Sequence, residues 1–212
     1  MATLDLQEQE QIDALKAWWK DNGKWLLFTL ALVVGGLAAV RGWQAYQSNQ
    51  SGAAATLYAG LEMQLASNDP KRVNDAATAV MDKFPATAYA PRAALLAAQI
   101  NIHMRDLDRA KLQLQWVLGH AAETGLHNVA RLKLASVLLD EKKYDDAIKQ
   151  LDITTAGAFS GLYADLKGDV LSAQGKVEEA RVAYKLALEK IDAQSKYRNL
   201  IQMKLDALGS AQ

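Results

Sequence analysis

Residues 25 to 40, WLLFTLALVVGGLAAV, carry no charged side chain, and Lys24 and Arg41 close the two ends of the run. Sixteen such residues in a helix reach roughly 24 Å, short of the bilayer's hydrocarbon thickness of about 30 Å. Continuing the helix through Trp43 to Tyr46, with the Arg41 head snorkelling to the interface, closes the gap. Four of the five tryptophans, Trp18, Trp19, Trp25 and Trp43, flank the run, where a half-wet indole is favoured at the headgroup level. The pattern predicts a transmembrane helix over 25–43. A cleaved signal peptide is the competing reading, with Gly36-Leu37-Ala38 as a small-residue cleavage site. Against it, the preceding segment of 24 residues carries Asp5, Glu8, Glu10, Asp13 and Asp21, whereas signal n-regions are short and basic. A buried helix of a soluble core has no use for the tryptophan bracket.

Beyond the span the pattern changes. Residues 44–53, QAYQSNQSGA, are polar and small and read as a hinge or as an extension of the helix. From there a motif recurs: 105–114 (RDLDRAKLQL), 142–151 (KKYDDAIKQL) and 175–184 (GKVEEARVAY). Their alanines, Ala110, Ala147 and Ala180, lie 37 and 33 residues apart. Small residues Ala98, Ala135 and Gly168 each stand twelve positions earlier. A period near 34 with a helix, a turn and an early alanine in a second helix marks a tetratricopeptide-like repeat. The alanine is small because the second helix presses there on the first, and the large residue four positions later fills the core on the same face. First helices are predicted over 92–104, 128–140 and 162–174, with an insertion near 119–127. A fainter copy centres on Ala76 with Val80. Asn68-Asp69-Pro70 reads as a helix cap with proline at the first helical position, and Lys196 to Leu208 as a capping helix over the last repeat. The prediction is all-α: a cytoplasmic tail over 1–24, the transmembrane helix over 25–43, the hinge or extension over 44–53, and a tetratricopeptide-repeat-like helical solenoid over 54–208.

Charge sets the orientation. Lys16, Lys20 and Lys24 precede the span, and after Arg41 no Lys or Arg occurs until Lys71. The positive-inside rule counts those residues and puts the N-terminus in the cytoplasm. Residues 44–212 then lie across the membrane, in the periplasm of a Gram-negative cell. The chain has 24 Lys plus Arg against 24 Asp plus Glu, with no basic stripe, which argues against nucleic-acid binding. It has no cysteine, so thiol chemistry and disulfides are excluded. His103, His120 and His127 show no metal-ligand spacing. No nucleophile elbow or glycine-rich phosphate loop occurs. No enzyme, cofactor, metal or small-molecule substrate is expected.

Two features suit binding to other proteins. Ala31, Gly35, Ala38, Ala39 and Gly42 repeat at spacings of three and four, a small-residue stripe on which a partner helix packs closely in a bilayer. The first helices of the repeats should line a concave face presenting Arg92, Leu95, Gln99 and Ile102, then Leu132, Ser136 and Leu139, then Asp165 and Asp169. That mixture lacks a Lys/Asn clamp for a terminal carboxylate and suits a segment of another protein. Ile12, Leu15 and Trp19 stand at helical spacing in the tail and suit a short interfacial helix.

The chain resembles the ancillary SecYEG translocon subunit family over nearly its whole length. The likeness rests on the acidic tail with Asp-Asn-Gly-Lys (21–24), the short span, and Arg-Gly-Trp (41–43). It continues in YADLKGD (163–169), Gly175-Lys, Glu179-Ala-Arg181 and the closing Gln202-Met-Lys-Leu205. The resemblance implies a single-span inner-membrane protein with a periplasmic repeat domain. It would act at the SecYEG translocon with the membrane-anchored periplasmic chaperone PpiD, passing emerging chains to periplasmic chaperones. The alternative is a membrane-tethered scaffold for another envelope complex, of division or respiration.

Overall fold

The computed structural model describes residues 6–66, 69–153 and 156–209. Among them are nine α-helices and no strand: α1 (Leu6–Leu65), α2 (Pro70–Lys83), α3 (Tyr89–His103), α4 (Leu107–His120), α5 (Thr124–Asp140), α6 (Tyr144–Leu151), α7 (Ser160–Ala173), α8 (Val177–Lys190) and α9 (Tyr197–Ala207). A single 3-10 turn, Gly157–Phe159, precedes α7. The all-α reading and the repeat reading both hold. The chain divides into two compact units, the first ending at Gln50 and the second beginning at Ser51, and α1 contributes residues to both.

In the first unit every described residue of 8–49 is exposed except Gly23. α1 is long and apolar enough to cross a membrane. A helix that is apolar all round and uncovered by protein is stable only in lipid. Local contacts fit that solvent. The Thr29 hydroxyl donates to the Trp25 carbonyl at 2.9 Å, so the run exposes no unsatisfied hydroxyl donor. Trp25 meets Phe28 edge-on at 6.3 Å, and the Trp43 and Tyr46 rings lie 6.1 Å apart. Trp19 lies over Gly23, where a Cβ would come within 3.2 Å of the indole. Residues 44–53 are helical within α1. Asp5 lies outside the described residues, as does Asn68 of the expected cap.

The second unit is a stack of helix pairs, α3/α4, α5/α6 and α7/α8, closed by α9. Each pair turns in the same way. Arg105, Lys142 and Gly175 sit in the left-handed region at φ of 61°, 60° and 78°. One residue on, the N–H groups of Asp106, Lys143 and Lys176 reach back to the carbonyls of Asn101, Leu138 and Leu171 at 2.9, 2.8 and 3.0 Å. These are Schellman caps that satisfy the last carbonyls of α3, α5 and α7. Ala110, Ala147 and Ala180 are fully buried, and Leu114, Leu151 and Tyr184, four positions on, fill the core beside them. Gly168 lies so close to Tyr184 that a Cβ there would stand 2.5 Å from the ring. The insertion before α5 is taken up by a short loop, 121–123, and an extra first turn of α5; His120 and His127 flank that loop.

One expectation fails in the leading repeat. Ala76 is only half-buried; Val73, Ala77 and Val80 form the packed face of α2. Measured from the Asp69 cap, Val73 takes the place that alanine holds in the later repeats, and the small residue, Ala77, comes one turn on. Leu57, Tyr58, Leu61 and Leu65 of α1 complete that core, and the Tyr58 and Tyr89 rings lie 5.5 Å apart. Between α2, α3 and α4 lies a buried ring of amides. Asn74 and Asn101 exchange two bonds at 2.9 Å, and Gln113 donates to Asn74 and accepts from Asn101 at 2.8 Å. Such a ring tolerates one register only, because any slip leaves buried amides unpaired.

Candidate partner-binding faces

On the membrane helix, Gly35 and Gly42 have nothing within 4 Å of where a Cβ would lie. Ala31, Gly35, Ala38, Ala39 and Gly42 are all exposed. The stripe is thus open to a neighbouring helix along its length.

The face expected on the first helices is more varied. Arg92 pairs with Glu123 at 2.8 Å and donates to the Ala88 carbonyl at 2.6 Å. Leu95, Ile102, Leu132 and Leu139 are half-buried and pack on the main core. Gln99 accepts from Lys133, and its amide lies 2.8 Å from His103 Nε2. Burial holds the Lys133 ammonium below its ordinary pKa. Ser136 is exposed.

Asp165 and Asp169 do not belong to an open groove. Counted from the small residue of each first helix, Asp165 takes the place of Leu95 and Leu132, which in the earlier pairs pack into the stack. In the last pair α9 takes the role of a following helix and covers it. Lys204 Nζ donates to both oxygens of Asp165 at 2.9 Å and to Asp169 at 2.8 Å. The Tyr197 hydroxyl donates to Asp165, and that of Tyr184 to Asp169, each at 2.8 Å. The Asp165 side chain is 3% exposed and that of Lys204 24%. Burial, then the hydrogen bond to its aspartate, pushes each tyrosine well above the ordinary phenol pKa. Burial pulls the Lys204 ammonium down, but the bonds to Asp169 and Asp165 outweigh it and hold the pKa raised. Lys204 and Tyr197 were missing from the sequence reading. Their signal was the aspartate itself: a charge at a position that is leucine in the two earlier repeats implies a cation in whatever helix comes next.

A second concave region lies elsewhere, along α7 and α8. One section of about 230 Å³ and another of about 320 Å³ share Ala164, Lys167 and Leu186. A further cavity of about 450 Å³ lies where Pro70 and Val73 of α2 face Ile100 and Met104. Among the described residues no group of three His, Cys, Asp or Glu is placed to hold a metal ion. His103, His120 and His127 are each engaged locally, His120 stacked on Trp116 at 4.0 Å.

Sequence comparisons agree with this architecture. The profile of the tetratricopeptide repeat-like domain matches residues 16–210. The ancillary SecYEG translocon subunit of Neisseria gonorrhoeae is 34% identical over 204 residues, covering 96% of this chain and 98% of that protein. Its counterpart in Escherichia coli is 29% identical, covering 95% and 96%. That of Haemophilus influenzae is 29% identical, covering 92% and 98%. With the apolar N-terminal helix, the repeat stack and the closing helix all falling within the matched length, the chain belongs to the ancillary SecYEG translocon subunit family and carries its tetratricopeptide repeat-like domain.

Proposed function

We propose that this chain is a non-enzymatic accessory subunit of the SecYEG translocon, anchored in the inner membrane by α1, with its N-terminus cytoplasmic and its repeat domain in the periplasm. There it binds a membrane-anchored chaperone of the PpiD type and helps transfer emerging chains to periplasmic chaperones. The observation that carries the reading is the near full-length match to relatives of that name, which spans the membrane helix as well as the repeats. Lys16, Lys20 and Lys24 before the span support the orientation.

The span confines the domain near the channel, which raises effective concentration without a tight contact. The stripe of Ala31, Gly35, Ala38, Ala39 and Gly42 offers a packing surface to a partner's helix. The accessible part of the first-helix face, around Arg92, Gln99 and Ser136, adds recognition. Crosslinking in intact cells tests the whole: SecY and a PpiD-like chaperone should be recovered together, and exclusive recovery of division or respiratory proteins would sink the reading. Protease added to spheroplasts should digest the repeat domain and leave a small N-terminal fragment; complete protection overturns the orientation. Gly35→Leu should leave insertion intact and weaken only what the stripe holds, because leucine suits the bilayer but keeps backbones apart.

A further inference from the structure

The shortness of α6 sets it apart from the other second helices. α4 continues from Ala110 to His120 and α8 from Ala180 to Lys190, whereas α6 continues from Ala147 only to Leu151. In the earlier pair the last turn of α4 supplies Val117 and Leu118 to the core shared with α5. The corresponding turns are missing beyond Leu151, and an open groove begins there, mixed in character in its first section and mainly apolar in its second. Its first section starts at Leu151 and passes between Ala164 and Leu186; the second runs on past Leu171 and Val182. The floor is low because Ala164 and Ala183 are small and buried, while Val182 and Leu186 stand 67% and 44% exposed. Ala164 to Leu171 covers roughly 10 Å of helix, about two turns.

Lys167 stands in the middle, common to both sections and half-buried. Among the described residues no carboxylate lies within ion-pairing distance of it. Asp152 and Lys190 line the first section and Glu179 the second. An unpaired ammonium beside the exposed apolar side chains of Val182 and Leu186 suits an occupant that brings a carboxylate between apolar side chains. The occupant should be helical. The groove lies between two antiparallel helices and offers no strand edge, and a helix satisfies its own backbone groups while presenting apolar side chains along one face.

We propose that the α7/α8 groove docks an amphipathic α-helical segment of a second protein, about two turns long, which seats two apolar side chains over Ala164 and Ala183 and sets an aspartate or glutamate against Lys167. The site is distinct from the first-helix face and does not depend on which membrane complex the chain joins. The test uses the full-length chain in detergent and a fluorescent, lactam-bridged helical peptide with leucines at i, i+4 and i+7 and glutamate at i+3. A twin peptide carries lysine in place of the glutamate. Wild type should bind the glutamate peptide about five- to tenfold more tightly than the lysine peptide. Lys167→Glu should invert that preference, and Leu186→Asp, at an exposed position that leaves the helical spectrum unchanged, should abolish binding of both. Equal binding of the two peptides, a preference indifferent to Lys167→Glu, or equal binding of a proline-broken peptide overturns the proposal. So does a dimer in light scattering that Leu186→Asp disperses, which would make the groove a contact between copies of this chain.

Discussion

Replacing Gly168 by alanine sets two ordinary effects against each other, and the structure decides between them. In a helix interior Gly→Ala gains about 1 kcal/mol from propensity alone. Here the new methyl would lie 2.5 Å from Tyr184 Cε1, 2.6 Å from Cδ1 and 2.9 Å from Cζ. Carbon atoms rest at about 3.5 to 4.0 Å, so the ring must retreat by about 1 Å. It has little room: Tyr184 is buried beside Leu171, Ala180 and Ile201, and its hydroxyl is fixed to Asp169 at 2.8 Å. Overpacking of this kind costs about 1 to 3 kcal/mol, and losing a hydrogen bond to a charged acceptor adds about 1.5 to 3. After subtracting the propensity gain, Gly168→Ala should destabilise by about 1.5 to 5 kcal/mol. For a domain of this size that is a fall in Tm of about 3 to 20 °C. The assay is thermal melting followed by far-UV circular dichroism on the detergent-solubilised chain. Gly60→Ala, a helical glycine with nothing within 4 Å, is the control and should raise Tm by about 2 to 4 °C. In a Tyr184→Leu background Gly168→Ala should become neutral or stabilising. A higher Tm for Gly168→Ala alone would refute the steric argument.

Lys204→Met leaves the buried Asp165 carboxylate without a cation and should cost about 1 to 3 kcal/mol in the same melts; adding Asp165→Leu, which restores the residue type of Leu95 and Leu132, should recover most of it. Alkali should loosen α9: Tyr184, Tyr197 and Lys204 hold their protons more tightly folded than unfolded, so their stabilisation is complete below the ordinary phenol value of 10.0 and falls as pH rises past it. Melting from about pH 8 to about pH 11 should show that loss, and Tyr184→Phe with Tyr197→Phe should blunt it. Asn101→Ala opens the amide ring, strands Asn74 and Gln113, and should cost about 1 to 3 kcal/mol in urea denaturation. Ala147→Leu and Ala180→Leu should each overpack a helix pair by about 1 to 3 kcal/mol, and wild-type melting of both would contradict the register of the repeats.

What could be read from the sequence was whatever local pattern determines. The membrane helix was legible because absence of charge over 25–40 has few other causes. The repeats were legible because close helix contact admits only small residues at Ala110, Ala147 and Ala180. The leading repeat was misread at Ala76 because there the large and small residues of a contacting pair exchange places: Val73 comes first and Ala77 second. Asp165 and Asp169 were assigned to the concave binding face because their partner comes 39 and 35 residues later in the chain; which face of a helix is covered depends on what folds back over it. The groove along α7 and α8 was hidden for a similar reason. Nothing in residues 144–151 announces that α6 will stop, and the consequence falls on residues that have helical neighbours everywhere else in the stack.

A stack of like units has no intrinsic end. Each pair offers the next a surface much like the one it has just covered, and the last exposed surface would invite the first pair of a neighbouring molecule, then another, into a filament. In this chain the final seat carries Asp165 and Asp169 where its predecessors carry apolar or uncharged side chains. An ordinary leucine-lined helix arriving there would bury two carboxylates with no cation, an association far too costly to persist. Only a helix that brings its own cation at the right turn can sit, and the chain supplies one in Lys204. The ion pair therefore works as a terminator written into the last repeat, and lengthening the domain by duplicating a repeat would first require that charge to be erased.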